Sequence, residues 1–422
     1  MYVLKKISIL ATIIFGGFNV QSAQAESFTF QEAVKLLQEH PYVVSEREAS
    51  TALQHRARSQ SSSGDPMLMG EVREVPLDSL SFSEMERTEM MIGISKRFSL
   101  SGRTRALHRS YMHQSESRLL SSQDRFRQLL SDFYGLLIER ESLVARERII
   151  SQNFNWVQDM LRVTEGLYSR GNVGQQAIFD LKIRIADLEA ELYTARVQLG
   201  RNQNEFRYLF EKPVATETLD RWLESINWDE VNIVLASDDD SSLENDPRLQ
   251  VYQKQKKSSD EMASARRRAR IPDPTIGVNY MKMKNMMGEN DFVGLTVSFP
   301  IPVTTRTHSD LRESRHTLNS AQAQLRQFKL KREREIAQTK ERINSLENEL
   351  RVLESNSMNY AQSSREITAR AYQRGSATYS ELQSSEERLL NLQLRRERIL
   401  EQLRRQKVQM LYLRGEDLNF NG

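Results

Sequence analysis

Four methionines, Met281, Met283, Met286 and Met287, crowd one short stretch of the chain. Their thioether sulfurs are soft donors of the kind that hold Cu(I) or Ag(I). Lys282 and Lys284 interleave with them and disfavour a bound cation, so the filling of a strand and loop is the competing reading. The six histidines show no zinc-ligand spacing, and His108 and His113 do not share a helix face. Cysteine is absent, which excludes a disulfide framework, a zinc-thiolate centre and a thiol nucleophile. No Gly-rich phosphate loop, nucleophile elbow or paired-carboxylate motif stands out, so neither an enzyme nor a cofactor is expected. The most basic run is Arg266-Arg267-Arg268-Ala269-Arg270. Phospholipid head groups and a solvated helix face are its two open readings; nucleic acid is disfavoured by the export signal below.

Composition describes the elements around these residues. The 422 residues carry a net charge of only +3, 28% charged and 38% hydrophobic side chains, with 17 Gly and 9 Pro. Helix breakers are thus at about half the ~12% usual in soluble proteins, which points to long helices with narrow apolar seams. A basic start (Lys5, Lys6), an apolar run from Ile7 to Val20 and Ala23-Gln24-Ala25 read as a secretory signal peptide over 1–25. A buried N-terminal helix is the alternative. Cleavage would leave a mature charge of +1 and no cysteine for a lipid anchor. No later run approaches the ~20 apolar residues of a spanning helix.

The expected order of elements occurs twice. Thr29 and Glu32 make a capping box at the start of a first helix. Gly64-Asp65-Pro66 then breaks the helical pattern, and 66–76 and 88–98 read as strands. Met90, Ile92 and Ile94 alternate with Glu89, Gly93, Ser95 and Arg97. In the second half Pro272-Asp273-Pro274 precedes strands at 275–284 and 291–299. Ile276, Val278 and Tyr280 share one side of the first, and Val293, Leu295, Val297 and Phe299 one side of the second. Gly93 and Phe98 match Gly294 and Phe299 at an offset of 201, and Tyr168-x-Arg170-Gly171 matches Tyr372-x-Arg374-Gly375 at 204. Matched features in constant order indicate a duplicated half.

Gly102–Ser169 and Arg306–Gln373 contain no proline, and each would reach roughly 100 Å as a helix. Ile336, Thr339, Ile343, Leu346, Leu350, Leu353 and Tyr360 keep 3–4 spacing, as do Leu382, Leu389, Leu392, Ile399, Leu403, Met410 and Leu413. Outbound and return arms joined at a Gly turn make an antiparallel helical hairpin in each half. The expected division is 1–25 signal peptide, 26–209 first repeat, 210–245 connector, 246–415 second repeat and 416–422 tail.

The strands' apolar sides need cover. Strands of this length fit a bilayer, but four cannot close a barrel, and open edges are not tolerated in lipid. Either several chains pool their strands, or a soluble four-stranded sheet caps a coiled coil.

At this point the chain resembles the TolC-type outer-membrane efflux proteins. The residues carrying the resemblance are Phe28-Thr29-Phe30-Gln31-Glu32-Ala33 with His40-Pro41, and the strand exits Lys96-Arg97-Phe98-Ser99-Leu100-Ser101-Gly102-Arg103 and Phe299-Pro300-Ile301-Pro302. Both Tyr-x-Arg-Gly turns and the duplication add to it. The compact length and the strand exits resemble most the heavy-metal or cation branch.

The resemblance implies a mainly α fold with a small β part. Three chains would pool four strands each into a 12-stranded barrel above a periplasmic α-barrel of helical hairpins. It implies a homotrimer in the outer membrane of a Gram-negative cell, not lipid-anchored. Its partners would be a periplasmic membrane-fusion adaptor, an inner-membrane pump of RND or ABC type, and outer-membrane lipid. Adaptor docking falls on Arg170, Gly171, Asn172, Val173, Arg374, Gly375, Ser376 and Ala377, whose alternative role is plain hairpin geometry. A periplasmic gate falls on Tyr372, Glu381 and Asp180; the first-half counterpart of Glu381 is Ala177, a departure from the family's pattern. The lipid-facing set is Met90, Ile92, Ile94, Ile276, Val278, Tyr280, Val293, Leu295, Val297 and Phe299. The expected function is a passive exit duct for small molecules or metal cations. A duct for type I protein secretion and a non-channel periplasmic coiled-coil protein are the alternatives.

Overall fold

The computed structural model describes residues 28–75, 89–226, 228, 244–285, 288–302 and 305–418. The expected signal peptide at 1–25, the acidic Asp238-Asp239-Asp240 run, Met286 and Met287 lie outside the described residues.

Helix α1 (Phe30–Gln38) starts where its cap requires. The Thr29 hydroxyl accepts the Glu32 amide at 3.2 Å, and the Glu32 carboxylate accepts the Thr29 amide at 2.7 Å. His40 caps α2 (Pro41–Ser61), with Pro41 in the first turn where its missing N–H costs nothing. After α2 come β1 (Met67–Arg73), β2 (Glu89–Arg97), α3 (Arg103–Ser169) and α4 (Gln175–Phe210). A short α5 (Thr216–Ser225) follows. The order then recurs as α6 (Pro247–Arg268), β3 (Thr275–Asn285), β4 (Gly288–Ser298), α7 (Thr305–Val352), α8 (Met358–Gln373) and α9 (Tyr379–Arg414). Helix α3 alone has 67 residues, about 100 Å at 1.5 Å per residue.

Two expectations are corrected. The second arm is not one uninterrupted helix, because a π turn (Leu353–Ser357) separates α7 from α8. A π turn inserts a residue into the helical count. Leu353 is buried, but the next buried position is Ala361 rather than Tyr360, which is 75% exposed. The strand pairing also runs further than expected, as far as Asn285 with Gly288. Met281 and Met283 lie in β3, within the strand expected at 275–284.

The densest core lies midway along the helices. Phe133 meets Phe206, Phe210 and Trp222 edge-on at ring separations of 6.1, 5.4 and 5.4 Å. The Trp222 indole N–H donates to the Phe28 carbonyl at 3.2 Å, so its one polar atom is satisfied inside an apolar cluster. Full burial of a side chain such as Phe133 contributes on the order of 2–3 kcal/mol.

Beside that core lies a buried polar cluster, in which an ion pair within the second half adjoins contacts of Asp124 and Arg127 that cross to the first. Asp246 caps α6, accepting the Arg248 amide at 3.0 Å, and its other oxygen sits 2.8 Å from the Arg332 guanidinium of α7. Neither side chain is more than 2% exposed. The Tyr412 hydroxyl of α9 donates to Asp124 of α3 at 2.9 Å. Burial, then the Asp124 charge, pushes the Tyr412 phenol up to about 12. Arg127 donates to the carbonyls of Leu411, Tyr412 and Glu416, covering the C-terminal end of α9.

Candidate functional site

The first candidate surface is the sheet. Its strands are all antiparallel in the order β1-β2-β3-β4, so the two hairpins are joined through β2 and β3. Register puts the aliphatic residues of all four strands on one face, together with Tyr280. Leu68 pairs with Ile94, Ile94 with Val278, and Val278 with Leu295, making one row across the sheet. Gly70, Ile92, Tyr280 and Val293 make the next row. Met90, Ile276 and Val297 lie on the same face, while Phe299 follows the end of β4. From Met90 to Phe98 the apolar band measures about 26 Å along the strand.

This face is exposed. Ile94, Val278 and Leu295 show 54%, 51% and 73% of their surface to solvent. On the opposite face Gly93 and Gly277 are buried and Met91, Ser95, Asn279 and Met281 are half-buried. No helix of the described residues packs broadly on either face. We read this difference in exposure as curvature, taking the more exposed apolar face as convex and the opposite face as concave. Such a sheet has its apolar side outward, the reverse of a globular core.

The second candidate surface is the pair of helical tips. At the first, the Gly171 amide donates to Tyr168 O at 2.8 Å and the Asn172 amide to Leu167 O at 3.0 Å. At the second, Gly375 donates to Tyr372 O and Ser376 to Ala371 O, both at 2.9 Å. Both are Schellman turns, and they need the positive φ of Gly171 (77°) and Gly375 (73°). Arg170 and Arg374 each fold back to donate to the carbonyl four residues earlier. Val173 and Ala377 pack inward, whereas Arg170, Gly171, Asn172, Arg374, Gly375 and Ser376 are exposed.

Just inside the tips the expected gate residues separate. Tyr372 is fully buried, its hydroxyl 3.0 Å from that of Thr164 on the other hairpin. Glu381 is the capping residue of α9, accepting the Thr378 amide at 2.7 Å, and those hydrogen bonds hold its carboxyl below the usual range. The first tip has no such cap, since Gly174 and Ala177 occupy the equivalent positions. Asp180 accepts from Gln176 at 2.8 Å. Burial foremost, with Asp180 and Glu386 nearby, pushes the Tyr379 phenol up to about 12.

Sequence reasoning missed Glu386. Its carboxylate is 2% exposed and lies 3.4 Å from Arg184 of α4, joining the return arms of the two hairpins. Burial pushes its pKa up, against the opposing pull of Arg184 and a hydrogen bond from Asn153. The signal was available: 382, 386 and 389 keep seam spacing, so a charge at 386 needs a buried partner. Arg332 is the same case, standing four residues before Ile336 on the seam of α7. Among the described residues no His, Cys, Asp and Glu cluster is placed to hold a metal ion. None of the described helices is long and apolar enough to cross a membrane.

Comparison with known proteins agrees with this geometry. Residues 240–415 match the sequence profile of the family described as "Outer membrane efflux protein". No curated protein matches the sequence. Among solved structures, the outer membrane protein VceC of Vibrio cholerae superposes with a TM-score of 0.75 at 15% identity, over 92% of this chain and 96% of its own. CusC gives 0.74 at 13% identity, over 93% and 94%. The outer membrane channel CmeC of Campylobacter jejuni gives 0.68 at 11%, over 93% and 86%. At such identities the structures speak for the fold, a mainly helical chain with one small antiparallel sheet. Residues 240–415 thus carry the sequence pattern described as outer membrane efflux protein, within a fold that this chain shares with these structures over more than nine-tenths of its length.

Proposed function

We propose that the protein is the outer-membrane exit duct of a tripartite efflux system. It is a passive homotrimeric conduit that receives small molecules or metal cations from an inner-membrane pump through a periplasmic adaptor. The observation that carries this reading is the sheet: an exposed apolar convex face bounded by two unpaired edges, β1 and β4. Lipid covers such a face, and further copies of the chain cover such edges.

Two exposed apolar stripes on the hairpins support assembly. On α4, Phe179, Ile183, Tyr193 and Val197 follow 3–4 spacing, each at least 51% exposed. On the second hairpin, Val352, Tyr360 and Ile367 form another, the π turn having swung Tyr360 onto it. The stripes differ, so a contact between them is head-to-tail and closes as a ring. Twelve pooled strands would then cap a helical tube, with 26–209 and 246–415 as copies of one ancestral unit. The tips around Gly171 and Gly375 form the adaptor-docking end, and Tyr372, Glu381 and Asp180 stand at its constriction.

The test is fractionation followed by recording. Heat-modifiable oligomers in outer-membrane fractions, with conductance in planar bilayers, are expected. A monomer in the soluble periplasmic fraction overturns the reading.

A further inference from the structure

The concave face of the sheet has a composition that a water-lined wall does not require. Met67 and Met69 of β1, Met91 of β2, and Met281 and Met283 of β3 all project from it. They are five of the chain's 15 methionines, whereas Met90 alone stands on the convex face of the described strands. The rest of the concave face is largely polar or glycine. Among the described residues no helix packs broadly against it, so filling gaps beneath a helix, a usual use of methionine, does not explain the cluster.

Register makes the cluster contiguous. Met91 lies directly opposite Met281, and Met283 is the next residue along β3 on the same face. Met69 is diagonal to Met91, because Met91 pairs with Glu71 and Met69 with Gly93. Directly opposed side chains start about 5 Å apart, and diagonal ones about 7–8 Å, within reach of a flexible thioether. The Asn279 amide donates to the Met91 sulfur at 2.9 Å and orients it.

Two carboxylates and one arginine border the methionines on this face. Glu71 stands opposite Met91 and Glu89 opposite Met283, with Arg73 of the same face 2.8 Å from Glu71 and 3.9 Å from Glu89. Lys282, whose place in the sequence argued against a bound cation, is on the convex face opposite Asp291. The objection drawn from interleaved lysines is removed by the pleat itself.

We propose that Met69, Met91, Met281 and Met283 form a thioether site for a soft monovalent cation, Cu(I) or Ag(I), on the concave face. Thioethers are uncharged soft donors that prefer such ions over Mg(II), Ca(II) or Zn(II), which take oxygen or nitrogen ligands. The site needs only one chain's sheet. Its meaning as a contact for cargo in transit rests on the duct reading.

The probe is silver nitrate in chloride-free buffer, with the full chain purified in detergent. Bound silver is counted after equilibrium dialysis. Tight Ag(I) binding that excess Mg(II) does not displace is expected, weakened roughly tenfold or more in Met91→Leu/Met281→Leu. Leucine keeps the volume of methionine, so the sheet should be retained. Met90→Leu, on the opposite face, is expected to bind as the parent does. No silver retention by the parent chain, unchanged affinity in the double variant, or an equal loss in Met90→Leu overturns the site. Conductance of the same preparations separates the two readings. A conducting oligomer without silver binding sinks the site alone, and a silver-binding chain that forms no channel sinks the duct alone.

Discussion

The hydroxyl of Tyr372 lies 3.0 Å from that of Thr164, and both residues are wholly buried where the two hairpins meet near their tips. Thr164 also donates to the Met160 carbonyl at 2.8 Å, so loss of the tyrosine hydroxyl does not orphan it. Tyr372→Phe should therefore weaken hairpin-to-hairpin contact by only about 1 kcal/mol. The expected result is a higher open probability in single-channel recordings with an unchanged oligomer on gels.

Glu386 makes the same junction sensitive to pH. Burial holds its pKa above the usual carboxylate value. A group raised in this way stabilises the closed tip when protonated, and the contribution is lost as pH rises through the raised value. If opening hydrates Glu386, acidification from neutral toward its ordinary value near 4.5 favours closure. Conductance should fall as pH is lowered from neutral toward 4.5 in the parent chain, and Glu386→Gln should flatten that dependence.

Arg332→Met leaves Asp246 buried without its countercharge. Breaking a buried pair on one side costs about 3–5 kcal/mol. A clear drop in melting temperature, followed by circular dichroism in detergent, is expected. Arg332→Met/Asp246→Asn should recover part of it. The exposed pair Arg395–Glu349, at 2.7 Å, serves as control, since its loss should cost no more than about 1 kcal/mol.

The two faces of the sheet should respond oppositely to charge. Leu295 stands in the middle row of the convex face and Thr296 on the concave face. Leu295→Arg is expected to cost about 2–4 kcal/mol of membrane insertion, and Thr296→Arg little. The yield of heat-modifiable oligomer in outer-membrane fractions reports the difference.

At the tips, Gly375→Glu places a charged side chain at a φ of 73°. A Cβ there meets nothing within 4 Å, so the expense is backbone strain of about 1–2 kcal/mol. Adaptor cross-linking should be lost while the oligomer persists. Unchanged cross-linking counts against the docking assignment.

Much of this architecture was legible in the chain. Thr29 with Glu32, and Gly171 and Gly375 in their turns, are local signals whose hydrogen bonds close within a few residues, so the sequence contains both partners. The alternation around Ile92, Val278 and Leu295 is equally local. Less legible was anything depending on a residue far along the chain. The Arg184–Glu386 contact spans 202 positions and Asp246–Arg332 spans 86. The π turn at 353–357 leaves no breaker residue to announce it, and it turned Tyr360 from an expected seam position into an exposed one.

The sequence by itself determined the periods: 3–4 spacing for arms that bury a narrow seam, alternation for strands that differ between faces, and glycine where the chain must reverse. Only the tertiary structure decided that the aliphatic face of the strands stays exposed. Period-2 alternation is the same whether the apolar side points into a core or away from one, and the exposure of Ile94, Val278 and Leu295 breaks that tie. The same pairing sorted the methionines from the lysines. Met281 and Lys282 are neighbours in sequence and stand on opposite sides of the sheet, because successive side chains of a strand point to opposite faces.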